Sequence, residues 1–357
     1  MLLSLTDSKK VHFEKGRNSA LFCYHDEMNT KMKKRILLAA VLLLAVLLGT
    51  LVFLQQKKEK EETIENAGRI LSAEPAQTAL EYKGKSYPVR KNLDSILLIG
   101  TDESEERYNT DPSDDYSYNY GMADFQVLLV FDNAKKTVMP IQINRDTIAD
   151  VPWIAVNGGV GGYERTQIAY AFSYGSGGSD SCENTADAVS RFLYDAPIDG
   201  YLQFTMDAVP VVNDLIGGVT IRLPRDLPEL GEEYVKDAVI TLKGKNALRF
   251  IQYRDQSRTD ANAGRMERHR LYLDAFIPQG RNAYAKNENL ALRVLEQIDP
   301  YLQTRMTVNE ITEMINRLSS YEIRPVKTYE GDYVLGQYAE FYPYEKSVWE
   351  CVKTAFC

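Results

Sequence analysis

The chain has 357 residues, 44% hydrophobic and 26% charged, values that exclude a disordered or collagen-like chain and allow a substantial core. Its formal net charge is −8, but residues 1–35 carry eight Lys/Arg and four Asp/Glu, so the remainder holds 34 Lys/Arg against 46 Asp/Glu. A body that acidic argues against sequence-independent nucleic-acid binding, which depends on phosphate neutralisation, and three His argue against a His-rich zinc site.

In chain order, residues 1–35 read as a short cytoplasmic tail, with Met28 or Met32 as alternative starts. Residues 36–54 (ILLAAVLLLAVLLGTLVFL) are 19 uncharged, mostly apolar positions. As a helix they match a hydrocarbon core of about 30 Å, and they are too long for a signal-peptide core and lack an Ala-x-Ala cleavage site. Lys31, Lys33, Lys34 and Arg35 precede the run, so the positive-inside rule places residues 55–357 outside the cell. Residues 55–81 read as a charged stalk. From residue 82 the pattern becomes globular. A buried strand is expected at 95–100 (SILLIG). A hairpin is expected from 125–131 (FQVLLVF) and 137–143 (TVMPIQI) around a polar turn. Helices are expected at 165–174, 183–194, 206–216, 244–252, 265–277, 288–297 and 308–318. Strands are expected at 219–223 and 322–328. Adjacent strands interspersed with helices imply a mixed α/β sheet covered by helices, in one domain over 82–330, with 331–357 packing on it as an extension. Cys23 falls in the cytoplasmic tail. Cys182, Cys351 and Cys357 fall outside, where Cys351 and Cys357 are near enough in sequence to pair or could remain thiols.

Two acids and a set of arginines stand out. Asp102 follows the strand SILLIG and Asp124 precedes FQVLLVF, so both can converge on one sheet edge. A pair of carboxylates suits Mg²⁺ or Mn²⁺. Arg145 follows TVMPIQI, Arg254 follows an apolar helix, and Arg265 and Arg268 are three apart on one helix face. Guanidinium groups beside an acid-bound cation are what a diphosphate needs. Each group also has a plainer reading, as strand-end turn acids or a solvated helix face. The chain has no P-loop, GxSxG or HExxH motif, which removes nucleotide hydrolysis, acyl hydrolysis and zincin chemistry. Tyr is abundant at 23, and Tyr108, Tyr116, Tyr118 and Tyr120 between the two acids could stack on sugars or simply pack.

The ordered set ILLIGTD (96–102), GMADFQVLLVFD (121–132), INRDT (143–147), QIAYAFSYG (167–175), PIDGYLQFTMDA (197–208), LIGGVTI (215–221), LKGKNALRFIQYR (242–254) and GRMERHRLYL (264–273) resembles the LytR-CpsA-Psr family of membrane-anchored bacterial proteins, over about residues 82–280. SCENTADAVSRFLY (181–194) is similar to clostridial versions. The resemblance implies a mixed sheet between helices with an apolar cleft for a prenyl chain. It implies a phosphotransferase that moves anionic glycopolymers, such as teichoic acid or capsular polysaccharide, from undecaprenyl diphosphate to a muramic-acid hydroxyl of peptidoglycan, releasing undecaprenyl phosphate. Membrane lipid is then a further partner, and the setting is a Gram-positive-type cell membrane. Carried over, Asp102 and Asp124 hold the metal, and Arg145, Arg254, Arg265 and Arg268 bind the diphosphate, with Asp102, Asp124 and Arg145 catalytic. Met122 and Gln252 stand where the family usually has arginines, and His269 where Gln is common. Those departures motivate two alternatives: a polyprenyl-phosphate-binding regulatory module without turnover, and a prenyl-diphosphate diphosphatase.

Overall fold

Near-continuous apolar runs, buried on both faces, build the central sheet. In the computed structural model, which describes residues 77–102, 119, 121–155, 158–254, 261–287, 289–335 and 338–357, the body opens with a hairpin of β1 (Ala79–Tyr82) and β2 (Lys85–Pro88). Next come β3 (Leu93–Thr101), β4 (Ala123–Asp132) and β5 (Thr137–Ile143), an antiparallel meander. A second hairpin pairs β6 (Ile148–Ile154) with β7 (Val160–Gln167). A single helical turn, α1 (Tyr170–Ser173), precedes α2 (Ser179–Phe192), and β8 (Gly200–Thr205) then returns parallel to β3. The middle of the chain runs through α3 (Ala208–Leu215), the ribbon of β9 (Val219–Arg222) and β10 (Val239–Leu242), α4 (Lys245–Gln252), α5 (Ala261–Lys286) and α6 (Leu290–Ile298). It closes with β11 (Leu302–Thr304), α7 (Val308–Ser320), β12 (Glu322–Ile323), the hairpin β13 (Gly331–Leu335) and β14 (Ala339–Pro343), and α8 (Glu345–Phe356).

The main sheet has the order β11-β8-β3-β4-β5-β12 and is mixed, with β3–β8 and β5–β12 parallel and the other pairs antiparallel. Successive residues point to opposite faces. Leu97 and Ile99 of β3 and Leu128 and Val130 of β4 therefore share a core with Cys182, Ala188 and Val189 of α2 and Trp349, Val352 and Phe356 of α8. Ile96, Val127, Leu129 and Phe131 face the other way, onto Ile311 and Met314 of α7. The sheet is thus sandwiched between helices. A third cluster joins β9 and β10 to α4 and to Tyr272 of α5. A capping box starts α7: the Thr307 hydroxyl accepts from the Glu310 N–H, and the Glu310 carboxylate accepts from the Thr307 N–H.

Several boundaries differ from the sequence reading. Residues 165–174, expected as helix, are the end of β7 followed by the single turn α1, because β7 pairs along its length with β6. The stalk expected over 55–81 gives way to strand by Ala79, and Leu80 of that strand is fully buried in the main core. The helix expected at 265–277 runs from Ala261 to Lys286, through Pro278, which forgoes one backbone hydrogen bond without ending it. Beyond Pro278, Arg281 anchors this helix by donating from Nε to Leu318 O (2.8 Å). The strand expected at 322–328 shortens to β12 plus a bridge from Lys327 to Ile141. Residues 331–357 contribute Phe341, Trp349, Val352 and Phe356 to the main core. Cys351 donates its thiol to Thr328 O (3.2 Å), and both Cys351 and Cys357 are thiols. The apolar run at 36–54 lies outside the described residues, as do the four tyrosines at 108, 116, 118 and 120. Among the described residues no helix is long and apolar enough to cross a membrane.

Candidate functional site

The register of β3 against β4 sets the two acids near one end of the sheet. Thr101, at the end of β3, pairs with Ala123, at the start of β4. Asp102 follows Thr101 out of the sheet, and Asp124 is the extra residue of β4 where the register shifts between Thr101–Ala123 and Gly100–Phe125, so both lie near the same end of the β3–β4 pair. Arg145 lies just beyond β5, the next strand across, and Ala169 N–H donates to its carbonyl (3.2 Å). Arg254 leaves the end of α4, and Arg265 lies in the first turns of α5.

Asp124 is the hub. Its Oδ1 accepts from Arg145 Nη1, and its Oδ2 accepts from Arg265 Nη1 at 2.9 Å. All three side chains are nearly buried. Burial pushes Asp124 up, but the guanidiniums of Arg265, Arg145 and Arg254 outweigh it and hold the carboxyl below the usual carboxylate range. Asp146, beside Arg145 Nε at 3.4 Å, goes the other way: burial raises it despite the same three arginines. Arg145 and Arg265 contact the buried carboxylates, and Arg254 acts on them from electrostatic reach, a cluster of guanidiniums of the kind that grips phosphate oxygens.

Arg268, expected beside the diphosphate, turns to a different task. Its Nε donates to Phe250 O (2.8 Å) and its Nη2 to Tyr253 O, at the C-terminal end of α4. His269 Nε2 donates to Ile251 O (2.9 Å) at the same end. These bonds satisfy carbonyls that a helix end leaves orphaned, and they fix the segment from which Arg254 projects. Arg270 donates from Nη1 to Gln142 on β5 (2.9 Å). Arg258 lies outside the described residues. Met122 accepts a hydrogen bond at Sδ from Arg145 Nη2 (2.8 Å), so the thioether steadies a neighbouring guanidinium instead of adding another cation. Gln252 is exposed at the end of α4.

Sequence reasoning passed over the polar layer behind these groups. Asn262 Oδ1 accepts from Arg265 Nε (3.1 Å) and Nη2 (2.7 Å), and its Nδ2 donates to Asn144 Oδ1 (2.7 Å). Asn144 Oδ1 also accepts from Asp146 N–H, its own N–H donates to Tyr329 Oη, and its Nδ2 donates to Tyr333 Oη. The three-residue spacing of Asn262 and Arg265 on one helix face was the available signal. The Tyr333 contact had none, because it comes from the C-terminal hairpin.

A divalent cation fits this edge in part. Each oxygen of Asp124 accepts one N–H and keeps a second lone pair, and Asp102 adds a second carboxylate. Among the described residues no cluster of three or more His, Cys, Asp or Glu forms a closed metal site. Asp102 and Asp124 are the carboxylates that could hold a divalent cation here, with ligand oxygens and water supplying the rest of an octahedral shell.

Comparison with known proteins agrees with this architecture. The chain is 26% identical to the polyisoprenyl-teichoic acid–peptidoglycan teichoic acid transferase TagU of Bacillus licheniformis, over 53% of this chain and 52% of that protein. It is 27% identical to TagU of Bacillus subtilis, over 54% of each chain. The chain thus spans about half the length of these curated relatives. Among solved structures, TagV of B. subtilis matches with a TM-score of 0.56 at 23% identity, covering 74% of this chain and 96% of that one. A structure described as TagT bound to LI-WTA matches with a TM-score of 0.55 at 18% identity, covering 78% and 95%. Both structures share the fold of this chain. The model of the LytR_cpsA_psr family matches residues 52–353, and the chain belongs to that family.

Proposed function

We propose that this protein is a phosphotransferase that moves an anionic glycopolymer from undecaprenyl diphosphate to peptidoglycan on the outer face of the cell membrane. The observation that carries the reading is the buried Asp124 held between Arg145 and Arg265, with Arg254 in electrostatic reach. The names of the TagU relatives, which are transferases of polyisoprenyl-linked teichoic acid to peptidoglycan, support the same substrate class.

In this reading Arg145, Arg254 and Arg265 grip the diphosphate oxygens. Arg268 acts one layer back, through the end of α4. Asp102 and Asp124 would hold Mg²⁺ or Mn²⁺, whose charge would offset the negative charge gathering on the departing phosphate. The acceptor hydroxyl forms a new P–O bond to the phosphorus next to the polymer, and its proton leaves with the released phosphate or passes to solvent. The P–O bond to undecaprenyl phosphate breaks, and one phosphate stays with the polymer as the linkage. The apolar span at 36–54 would keep the domain beside its lipid-borne donor.

The test incubates the purified protein with a short prenyl-diphosphate-linked saccharide, peptidoglycan oligomers and Mg²⁺, and follows the products by mass spectrometry. Phosphodiester-linked product, lost on chelation by EDTA and in Arg254→Ala, which leaves the ion pairs of Asp124 intact, is expected. Prenyl phosphate released without linked product would replace this reading with a diphosphatase. Bound prenyl lipid with no turnover would replace it with a binding module.

A further inference from the structure

Every exposed large aromatic among the described residues lies on the two hairpins flanking the arginine site. Trp153 and Tyr163 are on β6 and β7, and Tyr338, Tyr342 and Tyr344 are on or beside β13 and β14. The hairpins are joined to the loop that carries Arg145. Phe341 N–H donates to Asp146 O (2.8 Å), Thr147 bridges Phe341, and Gln167 Nε2 donates to Ala339 O.

A line of rings runs outward from that loop. Tyr170 lies in electrostatic reach of Arg145 and Tyr338 and stacks on Tyr174 at 6.5 Å. Tyr174 donates its hydroxyl to Glu164 of β7 (2.6 Å), two residues from Gly162, the cross-strand partner of Trp153. The indole of Trp153 covers Gly161 and Gly162. A Cβ on Gly161 would enter its six-membered ring, and one on Gly162 would come within 2.9 Å of Nε1. One face of the indole is thus seated on glycine backbone while the residue stays 37% exposed. Thr147 to Trp153 spans roughly 20 Å of extended chain.

The charge on this surface decides what it fits. Three of its phenols are each bonded to a carboxylate at 2.6 Å: Tyr174 to Glu164, Tyr342 to Glu340, and Tyr344 to Asp332. Arg165 pairs with Asp150 and Arg191 lies over the Tyr163 ring, but Asp150, Glu164, Asp332 and Glu340 still outnumber the hairpins' one cation, so the surface disfavours an anionic membrane or an anionic polymer. Flat rings beside carboxylate acceptors suit the C–H faces and hydroxyls of uncharged sugars.

We propose that the two hairpins form a track for a neutral glycan strand, leading to Arg145 and anchored at its far end by Trp153. On the transferase reading above, on which this rests, the strand is the glycan backbone of the acceptor, uncharged where each muramic-acid carboxyl is taken up in a peptide amide.

The two tryptophans make the test direct, because Trp349 is buried and Trp153 is the solvent-facing one. The full chain in neutral detergent is titrated with a hexamer of β-1,4-linked N-acetylglucosamine, and tryptophan emission and calorimetry are followed. The hexamer is expected to perturb the emission. Trp153→Ala and Gly161→Val, which displaces the indole, are each expected to weaken binding by about fivefold to tenfold. Trp153→Tyr is expected to restore most of it, and circular dichroism checks each fold. Equal affinity in native protein and Trp153→Ala would overturn the track. So would a response to phosphatidylglycerol vesicles in place of the saccharide. Transfer with an unchanged acceptor KM in Trp153→Ala would overturn the track and leave the transferase. Trp153-dependent saccharide binding without any transfer would overturn the transferase and leave the track.

Discussion

A buried carboxylate shared by two guanidiniums is an arrangement in which removing one member leaves the others uncompensated. Asp124 is that member here, with Arg145 and Arg265 both nearly inaccessible to water. Asp124→Asn is expected to destabilise the fold by about 3–5 kcal/mol, because two desolvated cations then lack their counter-charge. Thermal or urea denaturation measures this, and a variant as stable as the native protein would mean that water reaches the pair. Asn262 works differently. It touches neither acid, yet it occupies two donors of Arg265 and so sets the angle at which the third reaches Asp124. Asn262→Ala is expected to leave the chain folded and to lower transfer by up to about 100-fold, since small misplacements of a positioned group carry that effect. Steady-state kinetics on the assay described above checks it.

The end of α4 shows how one element serves the site without touching it. Phe250, Ile251 and Tyr253 offer carbonyls that Arg268 and His269 of α5 collect, and Arg254 leaves from there. His269 is fully enclosed, and burial, followed by the charge of Arg265, lowers its pKa to about 3. It is therefore neutral in the folded protein wherever an unfolded histidine, near 6.5, would already bind a proton. The unfolded state binds more protons below that value, so stability contributed at this position is complete above pH 6.5 and declines as pH falls. His269→Gln keeps a donor for Ile251 and cannot titrate. It is expected to flatten the decline in stability between about pH 6.5 and 5, where carboxylates contribute little. Urea unfolding of both proteins across that range gives the comparison, and parallel curves would contradict the neutral histidine.

Across the whole molecule, the two ends of the described body close on each other. Trp349 of α8 stacks on Tyr82 of β1 (4.6 Å between centroids) and lies 4.7 Å from Tyr87 of β2. Arg90 donates from its backbone to Phe356 O and from Nη1 to Asp132 at the end of β4, tying the last helix to the central sheet. Trp349→Ala is expected to cost about 3–5 kcal/mol, as for a large aromatic removed from a packed core. Removing residues 345–357 is expected to abolish cooperative unfolding, because Val348, Val352 and Phe356 leave the main core together. A sharp calorimetric transition in the truncated chain would show that the sheet folds without its C-terminal helix.

The sequence by itself determined what local pattern can carry. Short apolar runs bounded by turn residues located β3, β4 and β5, helix-like stretches located α2, α4 and α7, and chain order located Asp102, Asp124, Arg145, Arg254 and Arg265 at element ends. Tertiary structure alone decided which of these meet. Arg265 reaches Asp124 across 141 positions, while Arg268, three residues further along the same helix, turns to the carbonyls of α4. The β6–β7 and β13–β14 hairpins and α8 were not legible, and residues 165–167 took strand in place of helix because β6 lay beside them. Cross-strand pairing and ion pairs between distant segments depend on partners that no window of sequence contains. The site's residues could therefore be nominated from the chain, but their roles followed only from the company each side chain keeps.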